Sequence, residues 1–348
     1  MNILFIDAKC SENYDFKYME SHSLGGTEST VLRLARELAR EHNVHISQIN
    51  RTEPYFENGI NFIHRDTSLT PNKLTPDIII IIRKYKLVKD YSLLYPQAKM
   101  FVWSHNFSNY EILGRRHRIV KTNAQVICVS QCHQNHINKI FNGYFSWLFR
   151  FLSLKFKKIP ITFIYNTIDS DFTKYNGQVD SNKLIFLSSP NKGLKEVLLH
   201  FKNLLEKAPN YKLYIAGASE EQLEEHHLDN NLLQSDSVVL LGKLSKDEIV
   251  SHLQNSFCVF YPQHVHPETF GLIYVEANCV GTPVLAHSFG STSEVIENQE
   301  QIVDARSSEA VVDKILNWQQ NGRPEVSCQE KFRISNVVLK WKEVLKLN

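Results

Sequence analysis

The chain has 348 residues, too many for one ordinary hydrophobic core, and length alone points to two domains. It is 43% hydrophobic and 22% charged, which excludes a disordered chain. Thirty-nine Lys and Arg against 37 Asp and Glu leave a net charge of +2, so nothing in the balance argues for nucleic acid as a partner. Six cysteines without regular paired spacing do not make a disulfide framework. The start, MNILFIDAKC, enters a strand-like run with no basic leader, and no stretch reaches about 18 uninterrupted apolar residues. The expectation is a cytoplasmic, reducing α/β protein.

In chain order, residues 2–6 form a short apolar strand. Val31, Leu34, Ala35 and Leu38 then recur at i, i+3, i+4 and i+7, the stripe of an amphipathic helix. Residues 77–82 (DIIIII) read as a strand buried on both faces, and Lys99–Trp103 and residues 126–129 look similar. The alternation restarts after residues 161–165. Strands are predicted at 183–187, 211–216, 238–241, 258–261 and 283–286, and Val197, Phe201, Leu204 and Leu205 form a helical stripe. The chain therefore reads as two doubly wound α/β domains, 1–165 and 166–328, followed by a terminal amphipathic helix within 329–348. That helix carries Val337, Val338, Trp341, Val344 and Leu345.

Four motifs fall where strands should end and helices begin, the ligand-binding edge of open α/β sheets. Gly25-Gly26-Thr27-Glu28 precedes the first amphipathic helix. It is either a close approach of backbone amides to a phosphate or a plain turn with Thr27 capping the helix. Trp103-Ser104-His105-Asn106 places a histidine at a strand end, where it touches a ligand or stays structural. Ser188-Ser189-Pro190-Asn191-Lys192-Gly193 sets a cation and a glycine before a helix, either to neutralise a diphosphate or as an ordinary polar connection. Last comes His266-Pro267-Glu268-Thr269-Phe270-Gly271-Leu272, running to Glu276 and then Gly281-Thr282-Pro283-Val284. Here two carboxylates accompany a helix expected to start near Phe270, with Glu276 about two turns inside it.

The Glu-x7-Glu spacing of Glu268 and Glu276, the Phe-Gly between them and the following G-T-P-V resemble family 4 glycosyltransferases of the GT-B fold. The remaining landmarks follow that layout: GGTE, WSHN, VSQCHQNHI, IYNTID, KGL and LGKL. The SSPNKGL form is similar to a bacterial lipopolysaccharide and polysaccharide subgroup. The resemblance implies two Rossmann-like domains facing across a deep cleft and a retaining sugar transfer (EC 2.4, hexosyl or N-acetylhexosaminyl). The donor would be a UDP- or GDP-linked sugar and the acceptor a saccharide or a lipid-linked one, in cell-surface glycan synthesis. It further implies that Gly25 and Gly26 lie near the sugar-phosphate end and that His105 contacts the transferred sugar. Lys192 would pair with the diphosphate and Glu268 with sugar hydroxyls. The backbone at Thr269, Phe270, Gly271 and Leu272 would hold sugar and phosphate, and Glu276 the ribose. Gly242, Lys243 and Leu244 would frame the base. Ser189 departs from the pattern, since many members carry arginine in that region.

The resemblance implies no cofactor, and no Asp-x-Asp motif is expected where a metal would be needed to stabilise the leaving diphosphate. Cys128, Cys132, His133 and His136 cluster, but lack the paired C-x-x-C spacing of zinc sites. Residues 145–159, from Phe145 to Ile159, interleave aromatics with Arg150, Lys155, Lys157 and Lys158. They read either as a core helix or as an anchor to an anionic membrane surface, which would make the protein peripheral on the inner face of the cytoplasmic membrane. Two rival functions share the fold: a nucleotide-sugar epimerase, and a non-catalytic sugar-nucleotide-binding subunit.

Overall fold

In a computed structural model, the structure describes all residues except 23, 71–72, 144–145, 147–150, 152–155, 219–221, 224–227 and 348. The chain divides into two units. The first comprises 1–16, 25–167 and 333–348, and the second comprises 17–24 and 168–332.

The first unit is built on eight strands: β1 (Asn2–Asp7), β2 (Asn43–Gln48), β3 (Tyr55–Glu57), β4 (Ile60–His64), β5 (Ile78–Ile82), β6 (Lys99–Trp103), β7 (Gln125–Cys128) and β8 (Ile161–Phe163). Their order in the sheet is β3-β4-β2-β1-β5-β6-β7-β8, parallel except for the short β3. Five consecutive isoleucines make β5, all buried, because a central parallel strand is covered on both faces. Helix α1 (Gly26–Leu38) follows β1 and buries Val31, Leu34, Ala35 and Leu38, the stripe read from the sequence. Helix α2 (Gln131–Asn138) follows β7, capped by the Ser130 hydroxyl accepting from the His133 amide. The terminal helix, Ile334–Leu345, belongs to this unit. Its fully buried Trp341 sits edge-on to Trp103 at 4.6 Å between ring centroids.

The second unit carries five parallel strands: β9 (Asp180–Leu187), β10 (Lys212–Ala216), β11 (Val238–Gly242), β12 (Ser256–Tyr261) and β13 (Val284–Ala286), in the order β11-β10-β9-β12-β13. Helix α3 (Leu194–Lys207) follows β9, and α4 (Leu272–Val280) follows β12. Strand order reverses between β1 and β5 in the first sheet and between β9 and β12 in the second. The carboxyl ends of those two pairs are the switch points at which doubly wound sheets hold ligands.

Several expectations change. Strands β2, β3 and β4 were absent from the sequence reading. Two of the six cysteines, Cys279 in α4 and Cys328, are joined in a disulfide, which the expectation of a reducing setting did not foresee. A separation of 49 residues hides such a pair from any spacing rule. Most of the segment 145–159 lies outside the described residues. Its described end folds back onto the first unit: Ile159 is buried, Arg116 lies over the Phe156 ring at 4.2 Å, and Lys157 donates to the Asn123 side chain. No helix among the described residues is long and apolar enough to cross a membrane.

Candidate functional site

In the second unit, β9 ends at Leu187 and the chain turns through Ser188–Gly193 into α3. Lys192 closes that turn, its amide donating to the Ser189 carbonyl at 3.0 Å. Gly193 caps α3 at φ +88°, in the left-handed region, and a Cβ there would fall 2.6 Å from the Gln263 side chain. Only glycine brings the chain this close to the loop after β12.

That loop delivers Glu268. Its carboxylate accepts from Lys192 Nζ at 2.9 and 3.2 Å and from the Tyr261 hydroxyl at 3.0 Å. The Glu268 carbonyl accepts from both the amide and the hydroxyl of Ser291. Gly290 passes so near that a Cβ would lie 2.5 Å from the Glu268 carbonyl oxygen. Glu268 is buried and Lys192 half-buried, so the pair stands at the wall of the site rather than in bulk water. Burial drives the Tyr261 hydroxyl well above its usual range, with the Glu268 charge adding to it, so Tyr261 stays a hydrogen-bond donor to the carboxylate. His266, in the same loop, is pushed down, first by burial and then by Lys192, against the opposing pull of Glu268.

Gly271 caps α4 at φ +78°, and the helix starts at Leu272. The expected start near Phe270 is therefore two residues early: Phe270 is buried, edge-on to Phe332, and the left-handed Gly271 resets the chain before the helix. Glu276 is then the fifth helical residue and half-buried, only just past the first turn rather than about two turns in. Thr269 and Leu272 are likewise half-buried. Gly242 ends β11 at φ +66°, and its carbonyl accepts from the Gly217 amide; Lys243 beyond it is exposed and Leu244 buried. Ser189 is exposed. An Asp-x-Asp triplet does occur at Asp169-Ser170-Asp171, and Lys246 bridges both of its carboxylates at 2.9 and 2.8 Å.

In the first unit, Gly25 is the N-cap of α1 and Gly26 its first residue, so Thr27 is inside the helix and is not the cap. Glu28, in the first turn, accepts from Arg83 at 2.8 Å, and the same guanidinium reaches the buried Asp7 at 3.1 and 3.2 Å. Arg83 follows β5 with φ +62°, and its amide donates to the Trp103 carbonyl. His105, two residues beyond β6, is 5% exposed and packs 4.6 Å from the Trp103 ring. Burial first, then Arg83 and His133, hold its pKa well below the usual value, so it is a neutral imidazole at pH 7. The His133 ring bonds Asn106 O and Val129 N, so the Cys128–His136 cluster is ordinary packing around α2. No group of three metal-ligating side chains occurs among the described residues.

Sequence motifs thus located Lys192 and Glu268, and the fold joins them across 76 residues. Tyr261, Ser291, Gly290, Asp7 and Arg83 were not foreseen. A charged residue directly after five isoleucines was the available signal for Arg83.

Residues 168–333 match the family model described as glycosyl transferases group 1. An uncharacterized glycosyltransferase of Methanocaldococcus jannaschii is 25% identical over 49% of this chain and 42% of its own length. The capsular polysaccharide biosynthesis glycosyltransferase CapM of Staphylococcus aureus is 28% identical over 36% of this chain and 33% of its own. The chain therefore spans less than half the length of these curated relatives. Sucrose-phosphate synthase from Thermosynechococcus elongatus superposes with a TM-score of 0.68 at 14% identity, covering 99% of this chain and 98% of that one. At that identity the likeness is one of fold: two parallel-sheet α/β units of the GT-B type, the second of which is similar to the glycosyl transferases of group 1.

Proposed function

We propose that this chain is a retaining glycosyltransferase of the family 4 type. It would move a sugar from a UDP- or GDP-linked donor to a saccharide or lipid-linked acceptor in cell-surface glycan synthesis of the lipopolysaccharide or capsule kind. The carrying observation is the Lys192–Glu268 pair at the β9/β12 switch point, beside the glycine-capped start of α4. Breaking the bond from the anomeric carbon to the diphosphate leaves negative charge on the departing oxygen and positive charge on the ring. The Lys192 ammonium and the amides at Phe270, Gly271 and Leu272 suit the leaving group. Glu268, fixed by Tyr261 and Ser291, suits the sugar hydroxyls, and Glu276 the ribose. In the first unit neutral His105 serves the transferred sugar as a hydrogen-bonding group. Attack from the leaving-group face gives retention, and none of these steps calls on a metal. The capsular relative supports the glycan setting. Phe151, 80% exposed in the basic aromatic segment, supports an anionic membrane as the place of action.

A thermal-shift panel of nucleotide sugars identifies the donor, because a ligand of the folded state stabilises by mass action. Donor consumption is then followed with and without candidate acceptors. Turnover that depends on acceptor is expected. Turnover without acceptor would indicate an epimerase, and stabilisation with no turnover a binding subunit.

A further inference from the structure

The geometry points to a phosphate-binding site at the β1/β5 switch point of the first unit, built from Lys9, Lys84 and Lys86, which gives the acceptor a phosphate group. The word acceptor rests on the function proposed above; the site itself does not.

Strands β1 and β5 are hydrogen-bonded neighbours with Ile6 opposite Ile81, so the residues just beyond their carboxyl ends emerge side by side. Beyond β1 comes Lys9, and beyond β5 come Arg83, Lys84 and Lys86. This is the place where strand order reverses, the ligand-binding edge of a doubly wound sheet. Two nearby carboxylates, Asp7 and Glu28, are engaged by the one guanidinium of Arg83, and Asp15 of the same loop is engaged by Arg51. Lys9 and Lys86 are exposed, Lys84 is half-buried, and none of the three forms an ion pair with an acid among the described residues. Three ammonium groups therefore share one strand edge with an Asp7–Arg83–Glu28 triad of net −1, which leaves the edge positive as a whole. Burial of Lys84 weakens its hold on a proton, and Lys9, Lys86 and Arg83 weaken it further, a mutual repulsion that a bound dianion would relieve.

The setting is regional as well. The first unit holds 25 Lys and Arg against 13 Asp and Glu, a net +12, whereas the second holds 14 against 24, a net −10. A compact ammonium binds a phosphate as a point charge without demanding bidentate geometry. A phosphate ester is therefore the chemistry that three separate lysines fit best. It could arrive on a soluble sugar phosphate or on a lipid headgroup.

The test is calorimetric titration of the intact protein with glycerol 1-phosphate, with glycerol, and with phosphatidylcholine vesicles with and without phosphatidic acid. Two variants accompany the wild type. One carries Lys9→Gln, Lys84→Gln and Lys86→Gln. The other carries Lys73→Gln, Lys99→Gln and Lys121→Gln, which removes the same charge from residues that precede or begin β5, β6 and β7 on the opposite edge. Saturable binding of glycerol phosphate or of the phosphatidic acid vesicles, at least tenfold weaker in the first variant only, supports the site. Which of the two ligands binds identifies the source of the phosphate. Binding of neither, equal losses in both variants, or equal binding of glycerol overturns it. Acceptor-dependent donor turnover, measured separately, would survive that failure.

Discussion

At the scale of single residues, the buried histidines connect the site to pH. His133 is fully buried; with Nε2 donating to the Asn106 carbonyl, Nδ1 accepts from the Val129 amide, so the neutral ring is satisfied on both sides. Protonation would set an N–H against an N–H, and burial pushes the pKa down to about 4. The unfolded chain takes up this proton near pH 6.5 and the folded one does not, so stability is complete above pH 6.5 and is lost as pH falls toward 4. By pH 5 the loss from this one residue amounts to about 2 kcal/mol. Urea unfolding at pH 7.5 and pH 5 should therefore show a gap that narrows by about that much in His133→Gln, whose amide can still donate to Asn106. An unchanged gap would place the pH sensitivity elsewhere. His105 is driven in the same direction, which keeps it neutral where the proposed transfer would run.

Secondary-structure elements show what the sequence could and could not reveal. Runs such as the five isoleucines of β5 were legible because a strand covered on both faces must be apolar throughout. Strand β2 was not, because Ser47 and Gln48 are polar and yet almost wholly buried. Their hydrogen bonds go to the Ser68 hydroxyl and the Tyr14 carbonyl, contacts that no local pattern announces. The same holds at the site: the charged residues stood out in motifs, while Tyr261 and Ser291, which fix Glu268, are common residue types in ordinary positions. The start of α4 was misplaced because the left-handed Gly271 looks, in sequence, like any glycine in a loop. That glycine permits a comparison. Alanine at Gly242, also in the left-handed region but with open space around it, should cost only the backbone penalty, about 1–2 kcal/mol. Gly271→Ala adds a Cβ 2.4 Å from the Tyr274 ring, so its urea midpoint should fall further than that of Gly242→Ala. Equal midpoints would mean that Tyr274 swings aside at no cost.

Across the whole molecule, a net charge of +2 conceals two units of opposite sign, because composition sums over a boundary it cannot see. The consequence falls on the donor. Under the proposed transfer a nucleotide diphosphate binds to a unit of net −10, so the potential that would hold it has to be local. The groups that supply it in this proposal are Lys192 and the amides before α4, with Ser189 adding no second cation. Lys192 is held at 2.9 Å by Glu268, so its ammonium is already in place when the diphosphate arrives and needs little reorganisation. Removing it should cost the 1.5–3 kcal/mol of a charged hydrogen bond, about ten- to 150-fold in kcat/KM, for Lys192→Met. The Asp169-Ser170-Asp171 triplet cannot readily take over with a cation, since Lys246 occupies both carboxylates. Donor turnover should therefore persist in excess EDTA for the wild type, and added Mg2+ or Mn2+ should leave Lys192→Met as slow as before. Activity abolished by chelation and restored by either ion would transfer the role of Lys192 to a metal, and with it the account of how this acidic unit holds its donor.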